Sequence, residues 1–186
     1  MGDVAGIEVE IADAVGHREP ISGEFDSSSM PGLTGLIAEA ASDAVGNATP
    51  RPGTGSLTLA LSQHREPRFV ALTGELRFEC ELVCQRCLEL APVNVSQSIS
   101  LALCRSDAPV DALDAVAEEY ERWDHDGESL ALGPFIEELV LLSLPMVVAH
   151  ASAEDCGALA SQIGAADKQE LTQTPFAGLA GLMKGE

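Results

Sequence analysis

The chain has 186 residues, 46% of them hydrophobic, which is enough for one domain with a substantial core and too few to require two. Thirty acidic residues against ten basic ones give a formal net charge of −20, and Lys168 and Lys184 are the only lysines. This charge repels phosphate backbones and attracts basic proteins, so lysine-driven RNA binding is disfavoured.

The N-terminal residues lack the basic region, apolar run and small-residue cleavage site of a secretory signal, and no apolar stretch is long enough to span a bilayer. We therefore expect a soluble, cytoplasmic protein without a membrane partner. Its five cysteines fit a reducing compartment, and their odd number argues against a closed disulfide framework.

The N-terminal third combines a strand, a loop and a helix. Residues 7–11 alternate apolar and acidic side chains, which predicts a half-buried strand, and a polar loop is predicted over residues 16–29. Apolar residues at helical spacing follow Pro31 and predict a helix over residues 31–45. Residues 49–56 hold two prolines and two glycines and predict a linker.

Three alternating runs, residues 57–62, 70–82 and 93–103, predict the strands of the central sheet. Because side chains alternate between the faces of a strand, Cys80 is expected inward and Cys104 is expected to point away from the apolar face. We therefore expect Cys104 to be the least suitable metal ligand among the cysteines. The runs together predict an antiparallel β-meander of about four strands, with curling toward a barrel left open.

Residues 107–128 form an acidic excursion, with nine acidic residues and a single arginine, Arg122. One interpretation is a solvated and partly mobile segment, and the other is a docking surface for a basic partner. Trp123 would either anchor that partner or pin the excursion to the core.

Helical spacing returns over residues 133–143 and stops at Pro145. Farther on, Thr174 and Pro175 begin a predicted C-terminal helical arm, residues 174–186. The fold class is therefore α+β: an antiparallel β-meander packed with a few helices, in a single domain.

The cysteines near the middle of the chain suggest metal binding. Zinc prefers four tetrahedral ligands drawn from thiolate and imidazole, and Cys84, Cys87, His150 and Cys156 would supply them for a structural site. A CxxC pair can also be a redox couple, but that chemistry usually needs a helix directly after the second cysteine, and Pro92 leaves too little room for one. Zinc is the favoured interpretation.

Other catalytic patterns are weak. The sequence holds no phosphate-binding glycine loop, no nucleophile elbow and no pair of histidines at helical spacing. The densest group of carboxylates lies in the acidic excursion, where a catalytic pocket is not expected. The sequence thus predicts a protein that is not an enzyme and has no small-molecule substrate.

Four motifs in series resemble the YceD family, which is described as a large ribosomal RNA subunit accumulation protein. They are the run from Cys84 to Glu89, the run from Phe135 to Pro145, the pair His150 and Cys156, and the run from Pro175 to Leu182. The series spans a little more than half of the chain, and its order is specific where each motif alone is not.

The resemblance implies a non-enzymatic ribosome-biogenesis factor, required for synthesis, processing or accumulation of large-subunit ribosomal RNA. Its implied partners are a ribosomal RNA precursor, a basic large-subunit ribosomal protein, or both. The net charge favours escort of the ribosomal protein, because direct RNA contact would require the few arginines around the meander to cluster. The alternatives are a small zinc-stabilised protein-interaction module and, behind it, a CxxC thiol oxidoreductase.

Overall fold

The computed structural model describes residues 2–16, 19–45, 48–152 and 154–157. The chain forms two compact units, residues 1–149 and residues 150–186. The predicted C-terminal arm lies outside the described residues, and a single domain over the whole chain stays a prediction. None of the helices in the described residues is long and apolar enough to cross a membrane.

The first unit begins with β1 (Glu8–Glu10), which runs directly into the short helix α1 (Ile11–Gly16). The strand is shorter than predicted because the backbone becomes helical at Ile11. Val9 is buried as the alternation predicts, whereas Ile7 is exposed.

A strand that was not predicted from the sequence, β2 (Ile21–Asp26), lies inside the predicted polar loop. It pairs antiparallel with β3 (Thr54–His64), which begins inside the predicted linker because Thr54 faces Asp26 across the ladder. The loop and linker predictions were wrong here. The buried positions of β2, Gly23 and Phe25, alternate with exposed ones. A Cβ at Gly23 would stand 2.2 Å from the Val4 side chain, so this position holds glycine and only Phe25 gives a large apolar signal.

The central sheet continues through β4 (Phe69–Val83), β5 (Leu90–Cys104) and β6 (Glu121–Asp124), in the order β2-β3-β4-β5-β6. Its neighbours are antiparallel except β5 and β6, which run parallel. The ladder between β4 and β5 is the longest and extends from the pair Val70–Leu103 to the pair Val83–Leu90. The α+β class is confirmed, and across the described residues the sheet is open rather than closed into a barrel.

Two longer helices cover one face of this sheet. α2 (Pro31–Asp43) has proline at its first position and packs against β4, with Leu33 and Ile37 among its buried residues. A three-residue strand, β7 (Ser129–Ala131), pairs with β1 and leads into α3 (Leu132–Ser143). Both predicted helices are confirmed.

The sheet also has a buried patch on its opposite face. Cys80 lies with the inward residues of β4 and is buried, as predicted, while Cys104 has the opposite parity in its own strand. Cys104 is nevertheless buried, because the acidic excursion folds over it. The residues of this second cluster are Phe69, Ala71, Ala102, Cys104 and Leu113.

Candidate metal centre

The Cys84–Cys87 segment is the turn that joins β4 to β5. The Cys84 amide donates to the Glu89 carbonyl at 2.9 Å, and the Leu88 amide donates to the Cys84 carbonyl, also at 2.9 Å. Cys84 and Cys87 are 0% and 1% exposed. The hairpin turn predicted from the sequence therefore holds its two sulfur-bearing residues inside the protein.

Leu88 has a left-handed backbone, with φ of 61°, although it carries a side chain. For an L-residue other than glycine this conformation costs roughly 1–2 kcal/mol. The Leu88 carbonyl accepts from the Val45 amide at 2.8 Å, so bonds on both sides of the residue fix its backbone. Its side chain is 46% exposed and therefore returns little burial energy for this strain.

The segment that follows α3 is also bonded to this turn. Gln85 donates its backbone amide to the Val148 carbonyl at 2.9 Å and its side-chain amide to the Met146 carbonyl at 3.4 Å. The turn thus holds the end of the first unit through two hydrogen bonds from one residue.

In the described part of the second unit, His150 and Cys156 lie side by side. The Cys156 sulfur is 3.8 Å from Nδ1 of His150, and Cys156 is buried. The loop between them is folded by two local hydrogen bonds: the Ser152 amide donates to Asp155, and the Glu154 amide donates to the Ser152 hydroxyl. A spacing of six residues is therefore compatible with adjacent ligand atoms.

The four residues selected from the sequence lie close together and could bind a metal. One ligand atom from each of Cys84, Cys87, His150 and Cys156 lies within 4.8 Å of the others. Sulfurs bound tetrahedrally to one zinc, with bonds of about 2.3 Å, stand about 3.8 Å apart. The donor set fits zinc in number, in chemistry and in approximate separation.

Cys80 and Cys104 are outside this group, and their surroundings disfavour the thiolate. Burial raises the pKa of Cys80 to about 11, with the charge of Glu81 adding to the effect. Burial also raises the pKa of Cys104, although Arg122 opposes the rise. Both are best understood as small buried residues: strand parity predicted this for Cys80, whereas Cys104 is buried by the acidic excursion.

The acidic excursion is anchored by its apolar residues. A 3₁₀ segment, Val110–Val116, delivers Leu113 to the cluster around Cys104. Tyr120 meets Phe69 edge-on at 5.2 Å between ring centroids, and Trp123 meets Phe135 of α3 at 5.4 Å. Of the two roles considered for Trp123, the structure shows the one that pins the excursion to the core.

Arg122, the single arginine of the excursion, serves mainly its backbone. Its guanidinium donates to the carbonyls of Pro109, Arg105 and Ala108 at 3.0 to 3.2 Å and to the Asp124 carboxylate at 2.7 Å. Sequence reasoning missed this role. The isolation of one arginine among nine acids is the signal that could have indicated it.

The carboxylates of the excursion point to solvent. All nine residues are exposed, and the Ser106 backbone amide lowers the pKa of Asp126 by donating to it at 2.9 Å. The excursion therefore presents a dense negative surface on a packed support. Its acidic members are Asp107, Asp111, Asp114, Glu118, Glu119, Glu121, Asp124, Asp126 and Glu128.

The arginines around the meander do not form one group. Arg68 and Arg105 line a common cavity at one end of the β4–β5 ladder, and Arg105 is paired there with Asp107 at 3.1 Å. Arg77 lies in the middle of β4 opposite Ser96, and Arg86 lies in the cysteine turn at the other end. These arginines therefore do not cluster as direct RNA contact would require.

These features define the class of the protein: an α+β fold with a cysteine turn at one end of a long hairpin and an anchored acidic surface at the other. The family model of the large ribosomal RNA subunit accumulation protein YceD matches residues 72–183, more than half of the chain, and the chain belongs to this family. No curated protein and no solved structure matches it. The match begins in β4 and covers the four candidate ligands and the whole acidic excursion.

Proposed function

We propose that this protein is a non-enzymatic ribosome-biogenesis factor that escorts a basic large-subunit ribosomal protein and thereby supports accumulation of large-subunit ribosomal RNA. The link to accumulation of large-subunit ribosomal RNA follows from the description of the family. The step proposed beyond it is the mode of action, in which the acidic surface binds the ribosomal protein until it is transferred to RNA.

The observation that carries this proposal is the anchored acidic surface. Its carboxylates are exposed, while Leu113, Tyr120 and Trp123 fix the backbone that presents them. A fixed array of like charges binds an oppositely charged partner without the full entropic cost of ordering a disordered tail. The negative charge also suits a transient complex. The RNA backbone is more negative than the acidic surface, so RNA can displace the acidic surface from the basic ribosomal protein.

The buried cysteines support a role other than thiol catalysis. A thiol oxidoreductase needs an accessible sulfur with a lowered pKa, whereas Cys84 and Cys87 are buried and β5 follows the turn without a helix. We assign these residues to structure, and the function to the exposed surfaces.

A deletion strain provides the first test. We expect loss of mature large-subunit RNA and accumulation of incomplete large subunits in a ribosome profile. An unchanged profile would show that the proposed function is wrong. Cross-linking of the native protein then identifies its neighbours, and the expected neighbour is a basic ribosomal protein rather than RNA alone.

Charge variants provide the second test. Glu118, Glu119 and Glu121 are changed together to glutamine, and the control changes three exposed acids elsewhere, Glu10, Glu24 and Glu39, in the same way. The two variants lose equal charge. We expect the first to lose most of the cross-linked ribosomal protein and the control to keep it. Equal retention by both would contradict escort by the acidic excursion.

We further assign zinc as a structural cofactor of Cys84, Cys87, His150 and Cys156. When bound, zinc would hold the three thiolates and the imidazole as one unit. Elemental analysis of the purified protein should give one zinc per chain, and Cys87→Ser should abolish it. Cys104→Ala is the matched control, since Cys104 is buried but outside the group, and it should keep the metal. Wild type without zinc after expression in zinc-supplemented medium would exclude the assignment.

A further inference from the structure

The outer edge of β5 has a long stretch without a strand partner. β5 contains 15 residues, and β6 pairs only with Leu101–Cys104 at its end. No other strand in the described ranges pairs with the outer edge of residues 90–100. A sheet edge of this length is a template for another polypeptide strand.

The backbone groups that point off this edge can be identified. The Cys104 carbonyl accepts from the amide of His125, just after β6, so the backbone of Cys104 faces the outer side. In an antiparallel ladder the direction of the backbone groups alternates with each residue, and the β4–β5 register has no break. The even-numbered residues Asn94, Ser96 and Ser98 therefore present their amides and carbonyls outward.

Two local observations agree with this assignment. Pro92 has the same parity, and a proline is tolerated in a strand where no ladder bond needs its missing N–H. The Ser98 carbonyl accepts from the side chain of its own neighbour, Gln97, at 3.1 Å. A side-chain donor thus occupies a position where a partner strand would place a backbone amide.

The opposite edge of the central sheet, formed by β2, is covered at least in part. At the middle of β2, the Val4 amide donates to the Glu24 carbonyl at 3.0 Å, and the Glu24 amide donates to Gly2 at 3.1 Å. Beyond the end of β2, α1 packs against β3. The open stretch of β5 instead has exposed side chains, at Asn94, Ser96, Gln97 and Ser98.

The surroundings of this edge are acidic. Glu79 lies opposite Asn94 and Glu75 lies opposite Ser98, and all four side chains are exposed on one face of the sheet. Arg77 lies between the two glutamates, opposite Ser96, and is paired with Glu75 at 3.3 Å, so Glu79 and the acids of the excursion carry the net negative charge here. Where β6 leaves the edge there is a cavity of about 230 Å³, and its lining includes Ser98 and the carboxylate-bearing residues Glu118 and Glu119. The charge therefore complements lysine and arginine on an incoming strand.

We infer that the outer edge of β5, from Pro92 to Ser98, binds an extended basic segment of a partner protein as an added β-strand. β6 already pairs with the outer edge of β5 at Leu101–Cys104, and the partner segment would pair with the same edge on the N-terminal side of those residues. The inference rests on the proposed function, because it names the surface on which the escorted ribosomal protein lies. Backbone hydrogen bonds would hold the segment, and the acids would select for its charge.

The test uses the full-length protein and a short synthetic peptide in which lysine and valine alternate. Ser96→Pro removes an amide that points off the edge without removing a bond to β4, and Ser96→Ala keeps that amide. We expect wild type and Ser96→Ala to bind equally and Ser96→Pro to bind at least about tenfold more weakly, since one lost bond and one intruding ring exceed about 1.4 kcal/mol. A glutamate–valine peptide should not bind to any of the three proteins.

A second measurement does not depend on the folding of the proline variant. In wild type, addition of the lysine–valine peptide should slow hydrogen exchange at the amides of Asn94, Ser96 and Ser98. Equal affinity of the proline and alanine variants, or unchanged exchange at these amides, would overturn the inference. Absence of peptide binding to wild type would overturn it as well.

Photo-cross-linking in cells distinguishes this inference from the proposed function. A photoreactive residue at position 96 should capture a basic ribosomal protein, and the control position is Thr58, exposed on the interior strand β3. If capture occurs at the acidic excursion but not at position 96, the proposed function stands and the edge is not its docking site. If position 96 captures a protein unrelated to ribosomes, the edge is a docking site and escort is wrong.

Discussion

The two ends of the β4–β5 hairpin both bury cysteine, but they do so in different ways. At the turn, Cys84 and Cys87 belong to a group of four ligand atoms and are held by a strained backbone at Leu88. At the open end, Cys104 lies among Phe69, Leu113 and other apolar residues, with its pKa raised by burial. Burial of a cysteine therefore says little about its chemistry; the convergence of other ligand atoms does.

The two ends of the hairpin also differ in how they could stabilise a fold of high negative charge. The turn end brings together side chains that could bind a metal, and the open end has aromatic and apolar packing beneath a layer of carboxylates. If this division is right, the two ends should respond to different perturbations.

Removal of metal should give the largest effect and act only on the turn end. With zinc present at a thousandfold excess over its Kd, a chelator should lower the free energy of unfolding by about 4 kcal/mol. Without an ion to hold them together, the turn and the loop from His150 to Cys156 should open, and the thiols of Cys84, Cys87 and Cys156 should then react with a thiol reagent. Cys80 and Cys104, which lie within paired strands, should stay protected until the protein unfolds. Reaction of all five at one rate would contradict the division.

Leu113→Ala should give the second largest effect, at the open end. Leu113 is buried, so truncation should cost roughly 2–4 kcal/mol of unfolding free energy in denaturant titration. Cys104 should become reactive, while the zinc content stays unchanged. Leu142→Ala is the control, because Leu142 is 73% exposed and its truncation should cost less than about 0.5 kcal/mol.

Leu88→Gly should stabilise the turn slightly. Glycine adopts φ of 61° freely, and the relieved strain exceeds the entropy that glycine loses on folding, giving a net gain of up to about 1 kcal/mol. Leu88→Ala is the matched control, because alanine keeps the steric cost and should give no gain. A loss of stability in the glycine variant would mean that the Leu88 side chain contributes more packing than its exposure suggests.

The smallest effect concerns Glu81, one strand position from Cys80. Hydrogen bonds from the backbone and side chain of Arg51 lower the pKa of this carboxyl. A lowered folded-state pKa stabilises the protein above the unfolded value, near pH 4, and this contribution is lost as the pH falls through the folded value. Because Arg51 is exposed, the contribution should be below about 1 kcal/mol.

Glu81→Gln tests this sign in the metal-free protein, so that protonation of the thiolates does not interfere. Wild type should be more stable than the variant at neutral pH, and the two should converge in acid. A difference that grows toward low pH would refute the assignment.

The sequence predicted the parts of the fold whose alternation or helical spacing is strong. The strands around Leu72 and Leu101, the helix after Pro31 and the helix before Pro145 are confirmed, because one face of each is consistently apolar. β2 was missed because glycine occupies one of its two buried positions, which leaves Phe25 as the only large apolar residue on that face. Strand parity gave the direction of Cys104, but not the segment that covers it.

The candidate site was predictable in its members but not in its geometry. Sulfur and imidazole are recognisable ligands in any sequence, and the four selected residues lie together. The left-handed backbone at Leu88 was not predictable, because glycine is the usual residue in that conformation. Nor was the open edge of β5, since it depends on where β6 stops, which the sequence of β5 does not contain.

The pairing of β1 with β7 has a consequence for synthesis of the chain. Glu8 pairs with Ala131, and the Leu132 amide donates to the Ile7 carbonyl at 2.9 Å, so β1 cannot pair until the much later β7 has been synthesised. Contacts so distant in sequence form late, whereas the successive hairpins of the meander can form as they leave the ribosome. A nascent chain should therefore complete its sheet first and close this two-stranded clasp only after residue 132 has emerged.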